Sequence, residues 1–589
     1  MTPLSQTILS AVLPPGCPPV LRRAACRLLG FDQVDGAYNA LRTEAGSQNF
    51  FDGLLEFMQV SYSATPAELK HIPRTGPAVI VANHPFGILE AVILANAVRQ
   101  IRPDVRILAN EVLQRIPELS DLLIPVDVFG SSARGNVSGM RRAVEFLNNG
   151  GLLIVFPAGA VSHFQWRHRA SVDPPWNASI MRLIRLASKT GAAPVVVPVF
   201  VPGSNSPAFH AVGMLHPSFR TALLARELLN KRRSHVELRV GHAIPFSKLA
   251  EMPSDSDCIE YLRWRTYLLA NRHAFKANTK SYGKRHQSAV EEIISPVPPS
   301  ILASEVEQLP SACLLDRSGE LCVYLAKAKQ IPQLLRETGR LREITFRQAG
   351  EGTGRSLDLD QFDEDYLHLF LWQAAKHELV GAYRLQTTEN TSALYTRTLF
   401  QFDERFLNAM GPAVELGRSF IRAEYQKGFA PLLLLWKGIG KFISANPRCK
   451  TLFGPVSISK QYQAVSQELM IAYLEKRTSV AEWIGLVRPR NAPARGRITD
   501  RCSDVEELSD VISDLEPAQA GIPVLLRQYL KLGGRLLSFN VDPEFSDVLD
   551  GLIVVDLTKT EPKLLERYLG RAEAASFTEY HKEPLYETQ

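Results

Sequence analysis

Before position 294 the apolar residues fall in short runs divided by segments of helical period. The runs 78–82, 105–108, 123–128, 152–156 and 194–201 are rich in Val and Ile, and 78–82 and 152–156 contain no polar residue. A strand that is apolar at every position must be covered on both faces, as in a parallel sheet flanked by helices. Between the runs lie helical patterns such as 138–147, stopped by Asn148-Asn149-Gly150-Gly151. This alternation predicts an α/β domain over residues 1–293.

Three prolines in Ile294-Ser295-Pro296-Val297-Pro298-Pro299-Ser300 interrupt the pattern. Proline lacks a backbone donor and favours extended chain, so 294–310 is expected to be a linker. Beyond it the order changes. A hairpin is expected over 312–326 and a helix over 331–347. Strands follow at 368–372, 379–385 and 413–420, then an apolar helix at 431–443 and a strand at 451–457. Such mixed order predicts an α+β domain with a partly antiparallel sheet over 311–589.

At 589 residues the chain is long enough for two or three cores, and 45% hydrophobic against 22% charged residues excludes general disorder. The formal charge of +6 is a mild basic bias that suits an anionic membrane surface or acidic partner, and no nucleic-acid partner is expected. No run approaches the roughly 18 apolar residues of a spanning helix. The first residues, MTPLSQTILSAVLPPG, lack a basic n-region, so no secretory signal is expected. Seven scattered cysteines without a Cys-x-x-Cys pair fit a reducing cytosol and show no zinc motif.

The sharpest local feature is Asn83-His84-Pro85-Phe86-Gly87-Ile88-Leu89-Glu90, after one apolar run and at the start of a helical one. A histidine exposed at such a turn is a candidate general base for an alcohol, and a carboxylate on its second ring nitrogen would fix the tautomer and stabilise the imidazolium. Phe156-Pro157-Ala158-Gly159 follows a later run, and Val197-Pro198-Val199 with Gly203-Ser204-Asn205 follows the next. In order and spacing these motifs resemble the glycerolipid acyltransferases over about 72–244. The resemblance implies His84 as base, Glu90 as its orienting acid, and Phe156, Pro157 and Gly159 as acceptor-binding wall. Two departures stand out. The family's acid is usually an Asp closer to its His, whereas here five residues intervene, and the glutamate of its Phe-Pro-Glu-Gly motif is Ala158. The longer Asn-His-Pro-Phe-Gly form looks like the branch found in aminolipid synthases and in proteins labelled haemolysins. Among the nearby basic residues Arg134, Arg141, Arg142, Arg167 and Arg169, candidates for an anionic head group or lipid surface as well as for plain solvated faces, the run Arg167-His168-Arg169 directly after the Phe-Pro motif is the best.

In the second half, Asp358-Leu359-Asp360-Gln361-Phe362-Asp363 lacks the central glycine and terminal glutamate of a calcium loop. By itself it also reads as an Asp-rich capping turn. It is preceded by Leu341-Arg342-Glu343 and followed by Gly381-Ala382-Tyr383-Arg384-Leu385 and Glu415-Leu416-Gly417-Arg418. Together with 452–457 and 523–533, these runs resemble the carrier-protein-dependent N-acyltransferases of the GNAT superfamily, the ornithine N-acyltransferases among them. That implies Asp358, Asp360 and Asp363 at an amino-acid site, Glu415 as a candidate base, and Arg342 and Arg418 as charged contacts. Glu415 and Arg418 also read as a simple ion pair. Gln426-Lys427-Gly428-Phe429-Ala430 stands where a coenzyme A pyrophosphate loop is expected, in degenerate form that suits a carrier-protein donor.

The whole chain thus resembles the bifunctional ornithine lipid synthases. The resemblance implies N-acylation of ornithine by a 3-hydroxyacyl group from acyl carrier protein, then O-acylation of the lyso-lipid intermediate. The phosphopantetheine thioester is a co-substrate, with no tightly bound cofactor or metal, and the location is cytoplasmic at the inner membrane surface. The alternatives are a lysophospholipid acyltransferase with a regulatory C-terminal domain and a non-enzymatic haemolysin-like membrane-binding protein.

Overall fold

The computed structural model describes residues 50–110, 119–126, 133–215, 217–272, 290–389, 394–478, 485–494, 498–516 and 520–582, with a few isolated positions besides. The side chain of Arg134 lies outside the described residues. Two compact units divide the chain, Met1–Lys276 and Ala277–Gln589. Among the described residues no helix is long and apolar enough to cross a membrane.

In the first unit the six-stranded sheet is built from β1 (Ala78–Ala82), β2 (Val105–Asn110), β3 (Leu123–Val126), β4 (Leu152–Val155), β5 (Val195–Phe200) and β6 (Arg239–Val240). Their spatial order is β6-β5-β1-β4-β2-β3, parallel except for the β5–β6 pair. β1 lies between β4 and β5 with all five residues buried. Ala78, Ile80 and Ala82 enter one core with the helix α1 (Leu89–Arg99), whereas Val79 and Val81 enter a second with α2 (Ala133–Asn148), α3 (Ser179–Thr190) and α4 (Asp255–Leu268). Both faces are therefore packed, which is why the run has no polar position; each buried Ile or Val contributes about 1.5–3 kcal/mol. The predicted 138–147 helix is longer at both ends, and its chain leaves through Gly150 at φ +86°.

The second unit holds an eight-stranded sheet: β7 (Leu314–Ser318), β8 (Leu321–Lys327), β9 (Leu367–Gln373), β10 (Glu378–Thr387), β11 (Ala413–Ile421), β12 (Thr451–Ile458), β13 (Arg535–Asp542) and β14 (Val548–Asp556). The order is β7-β8-β9-β10-β11-β12-β14-β13, antiparallel throughout except at β11–β12. That parallel pair is in register only from Ala413 to Glu415 opposite Thr451 to Phe453, after which the strands part. The expected linker is a correction. Residues 299–307 form helix α5 (Pro299–Glu307), whose Leu302, Ala303 and Val306 join Val297 in the core of this unit. Pro299 sits in the first turn, where a missing N–H costs nothing, so the prolines start a helix rather than separate domains. Helix α6 (Pro332–Gln348) begins the same way, and α7 (Phe429–Ala445) is the apolar helix before β12.

Candidate functional sites

In the first unit the loops leaving the C-terminal ends of β1, β4 and β5 converge, the usual place for a ligand in an open parallel sheet. Asn83 ends β1 as a clamp: its Nδ2 donates to Val201 O at 2.8 Å and its Oδ1 accepts from Val201 N at 2.7 Å. His84 follows, with its side chain 16% exposed and Nδ1 2.9 Å from Oε1 of the fully buried Glu90. This is an ion-pair contact off the line of a good hydrogen bond. Glu90 stands in the first turn of α1, where the helix dipole favours a carboxylate, and accepts from the N–H groups of Phe86 (3.0 Å) and Gly87 (2.8 Å). Burial opposes charge on the imidazole, but Glu90, helped by Asp173, outweighs it and raises the His84 pKa. Burial likewise opposes charge on Glu90, yet His84 and the Gly87 N–H hold its pKa below the usual range. The pair is therefore poised to carry an imidazolium.

Phe156 stacks on the His84 ring with centroids 4.5 Å apart. The loop that follows is tied to the histidine turn, since Ser162 N donates to His84 O at 2.8 Å. Gly159 turns at φ +63°, which a side chain would resist, and Pro157 is buried with its carbonyl accepting from Asn177 N. Asp173, which the sequence reading did not single out, is completely buried. It accepts from His84 N (3.1 Å), Ser162 Oγ (2.5 Å) and Trp176 Nε1 (2.9 Å), and so fixes the backbone of the histidine. An isolated Asp carries no signal in a single sequence. Arg141, Arg142, Arg167 and Arg169 are exposed.

In the second unit the three predicted aspartates meet arginines. Asp360 caps the turn Gln361–Glu364, accepting from Phe362 N at 2.9 Å, while Asp363 accepts from Asp360 N at 3.0 Å. Both readings of the Asp-rich run therefore apply, because the same carboxylates also bind side chains. Arg342 Nη1 donates to Asp363 Oδ1 and Arg384 Nη1 to Asp360 Oδ1, each at 2.7 Å. Arg418 Nε is 3.5 Å from Asp358 Oδ2. Burial disfavours the Asp363 anion, but Arg342 and Arg384 overcome it and hold its pKa far below the carboxylate range. His368, bonded at 2.8 Å to the Asp363 carbonyl, is pushed down to about 4 by burial and Arg342, and is neutral. Arg384 joins this cluster although nothing in its run Gly381–Leu385 marks it as a contact.

Arg418 reaches this cluster through a β-bulge. On β10 and β11, Ala382 faces Phe420 and Arg384 faces Gly417, so one residue opposes two, and Arg418 takes φ +47°. Bulges re-aim side chains, and a left-handed non-glycine residue stores strain that the surroundings must hold. The alternative reading of Glu415 and Arg418 as an ion pair is not what the structure shows, since Arg418 pairs with Asp358 and Asp360 instead. Glu415 is 1% exposed and accepts from Tyr366 Oη, Tyr395 N (3.1 Å) and Thr396 N (2.7 Å). Its lone pairs are spent on the backbone of 395–396, an arrangement that fits an anchor better than the expected base. In the degenerate loop, Gly428 is the N-cap of α7 and Phe429 is 87% exposed.

Comparison with known proteins agrees with this division. Residues 33–275 match the family model "Acyltransferase", and residues 341–437 the "Acetyltransferase (GNAT) domain". The chain is 31% identical over 296 residues to a glycine N(alpha)-acyltransferase of Bacteroides thetaiotaomicron, covering 45% of this chain and 87% of that one. It is 24% identical over 228 residues to a lyso-glycine lipid O-acyltransferase of Phocaeicola vulgatus (38% and 77%). It is 25% identical over 274 residues to an L-ornithine N(alpha)-acyltransferase of Rhizobium meliloti (44% and 88%). The protein is an acyltransferase that combines an α/β acyltransferase domain with a GNAT domain, and it belongs to the family of the N(alpha)-acyltransferases.

Proposed function

We propose that the chain makes an aminolipid by two successive acyl transfers. The GNAT unit transfers a 3-hydroxyacyl group from the phosphopantetheine thioester of acyl carrier protein to the α-amine of an amino acid. The first unit then acylates the new 3-hydroxyl group. In that second step His84 takes the hydroxyl proton as the oxygen attacks the thioester carbonyl, Glu90 stabilises the imidazolium, and as the C–S bond breaks the proton passes from His84 to the departing thiolate. Phe156, Pro157 and Gly159 wall the acceptor. The observation that carries the reading is the His84–Glu90 pair at 2.9 Å on one unit of a chain whose other unit bears a separate buried Arg–Asp cluster.

The relatives' names bring forward glycine and ornithine as head groups. Carboxyl groups outnumber arginines around Arg418, because Glu351, Asp542 and Asp550 stand there besides the paired aspartates. That surplus suits the extra cation of ornithine, which is the head group we propose. The lyso-lipid is amphiphilic, and the exposed Trp166 with Arg167 and Arg169 supports docking on an anionic membrane surface, on the cytoplasmic side. Expression in a host without aminolipids, followed by lipid mass spectrometry, tests all of this. A doubly acylated ornithine is expected, and His84→Ala should stop at the singly acylated amino acid. A glycine lipid instead would overturn the head group, and no aminolipid at all would overturn the reading.

A further inference from the structure

Three carboxyl groups outside the Asp-rich run lie near enough to Arg418 to feel its charge. Glu351, just after α6, is half-buried, and its Oε2 accepts from Ser457 Oγ of β12 at 2.9 Å. Asp550 of β14 is in register with that same Ser457. Asp542 of β13 accepts from Tyr395 Oη at 3.3 Å. The Arg418 charge acts on all three.

Acidic residues gathered together do not make a site. The second observation is Arg418 itself, whose side chain is 10% exposed and whose ion-pair contacts are long, Nε to Asp358 Oδ2 at 3.5 Å and Nη2 to Asp360 Oδ2 at 3.9 Å, with no hydrogen bond at Nε. It lies over Phe545 at 4.4 Å, in the chain between β13 and β14 that carry Asp542 and Asp550. A buried guanidinium held only by such long contacts is short of good acceptors, and a guest carboxylate would supply one. A cation placed beside the three carboxyls would be matched in the same way. One guest that brings both groups a single carbon apart is an α-amino acid.

We propose that this cradle is the acceptor subsite of the N-acyltransferase: Arg418 takes the α-carboxylate, and Glu351 is the base that takes a proton from the α-ammonium. The inference rests on the N-acylation reading above and names its base. The ammonium gives one proton to the Glu351 carboxylate and becomes a neutral amine. The nitrogen lone pair forms the C–N bond to the thioester carbonyl, the C–S bond breaks, and the surplus proton on nitrogen passes to the departing thiolate. Glu351, being half-buried, returns its proton to water. Burial pushes Glu351 up to about 7 against the pull of Ser457 and Arg418, so it can accept and release a proton near neutrality. Glu415, closed in by Tyr366 and two backbone N–H groups, has no such exchange.

The test uses the purified full chain, 3-hydroxyacyl-acyl carrier protein, and ornithine or glycine, with thiol release followed. Glu351→Gln keeps an acceptor for Ser457 but no basic carboxylate, and N-acylation should fall on the order of 10²–10⁴-fold. O-acylation of a supplied lyso-lipid by the first unit is the internal control. Ser457→Ala removes a hydrogen bond to the carboxylate, so the acidic limb of kcat/KM should move to higher pH. The other groups facing Glu351 are Arg418, Asp550 and Tyr462, all left in place. A loss below about a hundredfold in Glu351→Gln, or an unmoved limb in Ser457→Ala, overturns the proposal while the N-acyltransferase reading stands. A wild-type chain that acylates neither amine overturns both. If Glu351→Gln does not fold, as thermal unfolding would show, Ser457→Ala decides alone.

Discussion

Nδ1 of His84 lies 2.9 Å from Oε1 of Glu90 although five residues stand between them. Gly87 makes this contact by turning at φ +97°, which brings the first turn of α1 back to the end of β1. The longer spacing therefore reaches the same kind of pair as a shorter one would. Glu90→Gln should reduce O-acylation on the order of 10²–10⁴-fold. The sign of the pH effect follows from the raised pKa of His84. The histidine works as base only when neutral, so wild-type activity is lost on the acid side at a higher pH than an ordinary imidazole would give. Removing the Glu90 charge lowers that pKa, and the acidic limb of the remaining activity should move to lower pH. A limb that stays put would disconnect the pair.

Gly87→Ala tests the turn. A Cβ there would come within 2.7 Å of Leu224 Cδ2 and 2.8 Å of Val161 Cγ2, besides the backbone strain of a positive φ. A destabilisation of about 1–3 kcal/mol is expected, read by denaturant unfolding. O-acylation should fall further than that loss explains, because the N–H of Gly87 also holds Glu90.

Asp363→Asn tests the buried cluster. The variant leaves Arg342 and Arg384 short of a charge at a position where Asp363 is 3% exposed. Removing one partner of a buried pair costs about 3–5 kcal/mol. The folded pKa of Asp363 is depressed, so its stabilisation is complete above the unfolded value of about 3.9 and is lost as pH falls from there toward the folded value. Denaturant midpoints should therefore decline below pH 4 in the wild type and decline less in the variant. Equal slopes would show that the pair is not what titrates.

The α/β half was legible because its strands are covered on both faces: Val79 and Ile80 serve different cores, so the sequence shows one unbroken apolar run. The motif residues were legible for a related reason, since Asn83, His84 and Phe156 all end such runs. What escaped was carried by single side chains arriving from a distance. Asp173 reaches His84 across 89 positions, and Glu351 meets Ser457 across 106. The linker was misread because proline both breaks helices and begins them, and only the burial of Leu302 and Val306 distinguishes the two. Glu415 was given the base role because its motif is visible, while the three donors that occupy it come from 366 and 395–396.

The hairpin after the Phe-Pro motif carries the membrane contact proposed for the first unit. Its strands are His163–Gln165 and Ala170–Val172, and it begins directly after Ser162, whose N–H bonds the His84 carbonyl. At its tip Trp166 is 76% exposed, followed by exposed Arg167, His168 and Arg169. An indole beside two guanidinium groups suits the interface of an anionic bilayer, where the ring enters the head-group layer and the charges meet phosphates. Sedimentation with vesicles of mixed zwitterionic and anionic phospholipid should pull down the wild-type chain. Binding should weaken as salt shortens the screening length. Trp166→Ala should reduce the bound fraction at every salt concentration, whereas the double variant Arg167→Glu, Arg169→Glu should reduce it most at low salt and flatten the salt dependence. O-acylation of a short-chain, water-soluble acceptor should be unaffected by Trp166→Ala, which does not touch the His84–Glu90 pair. If vesicle binding is the same in wild type and variants, the lipid must enter from another face of the unit.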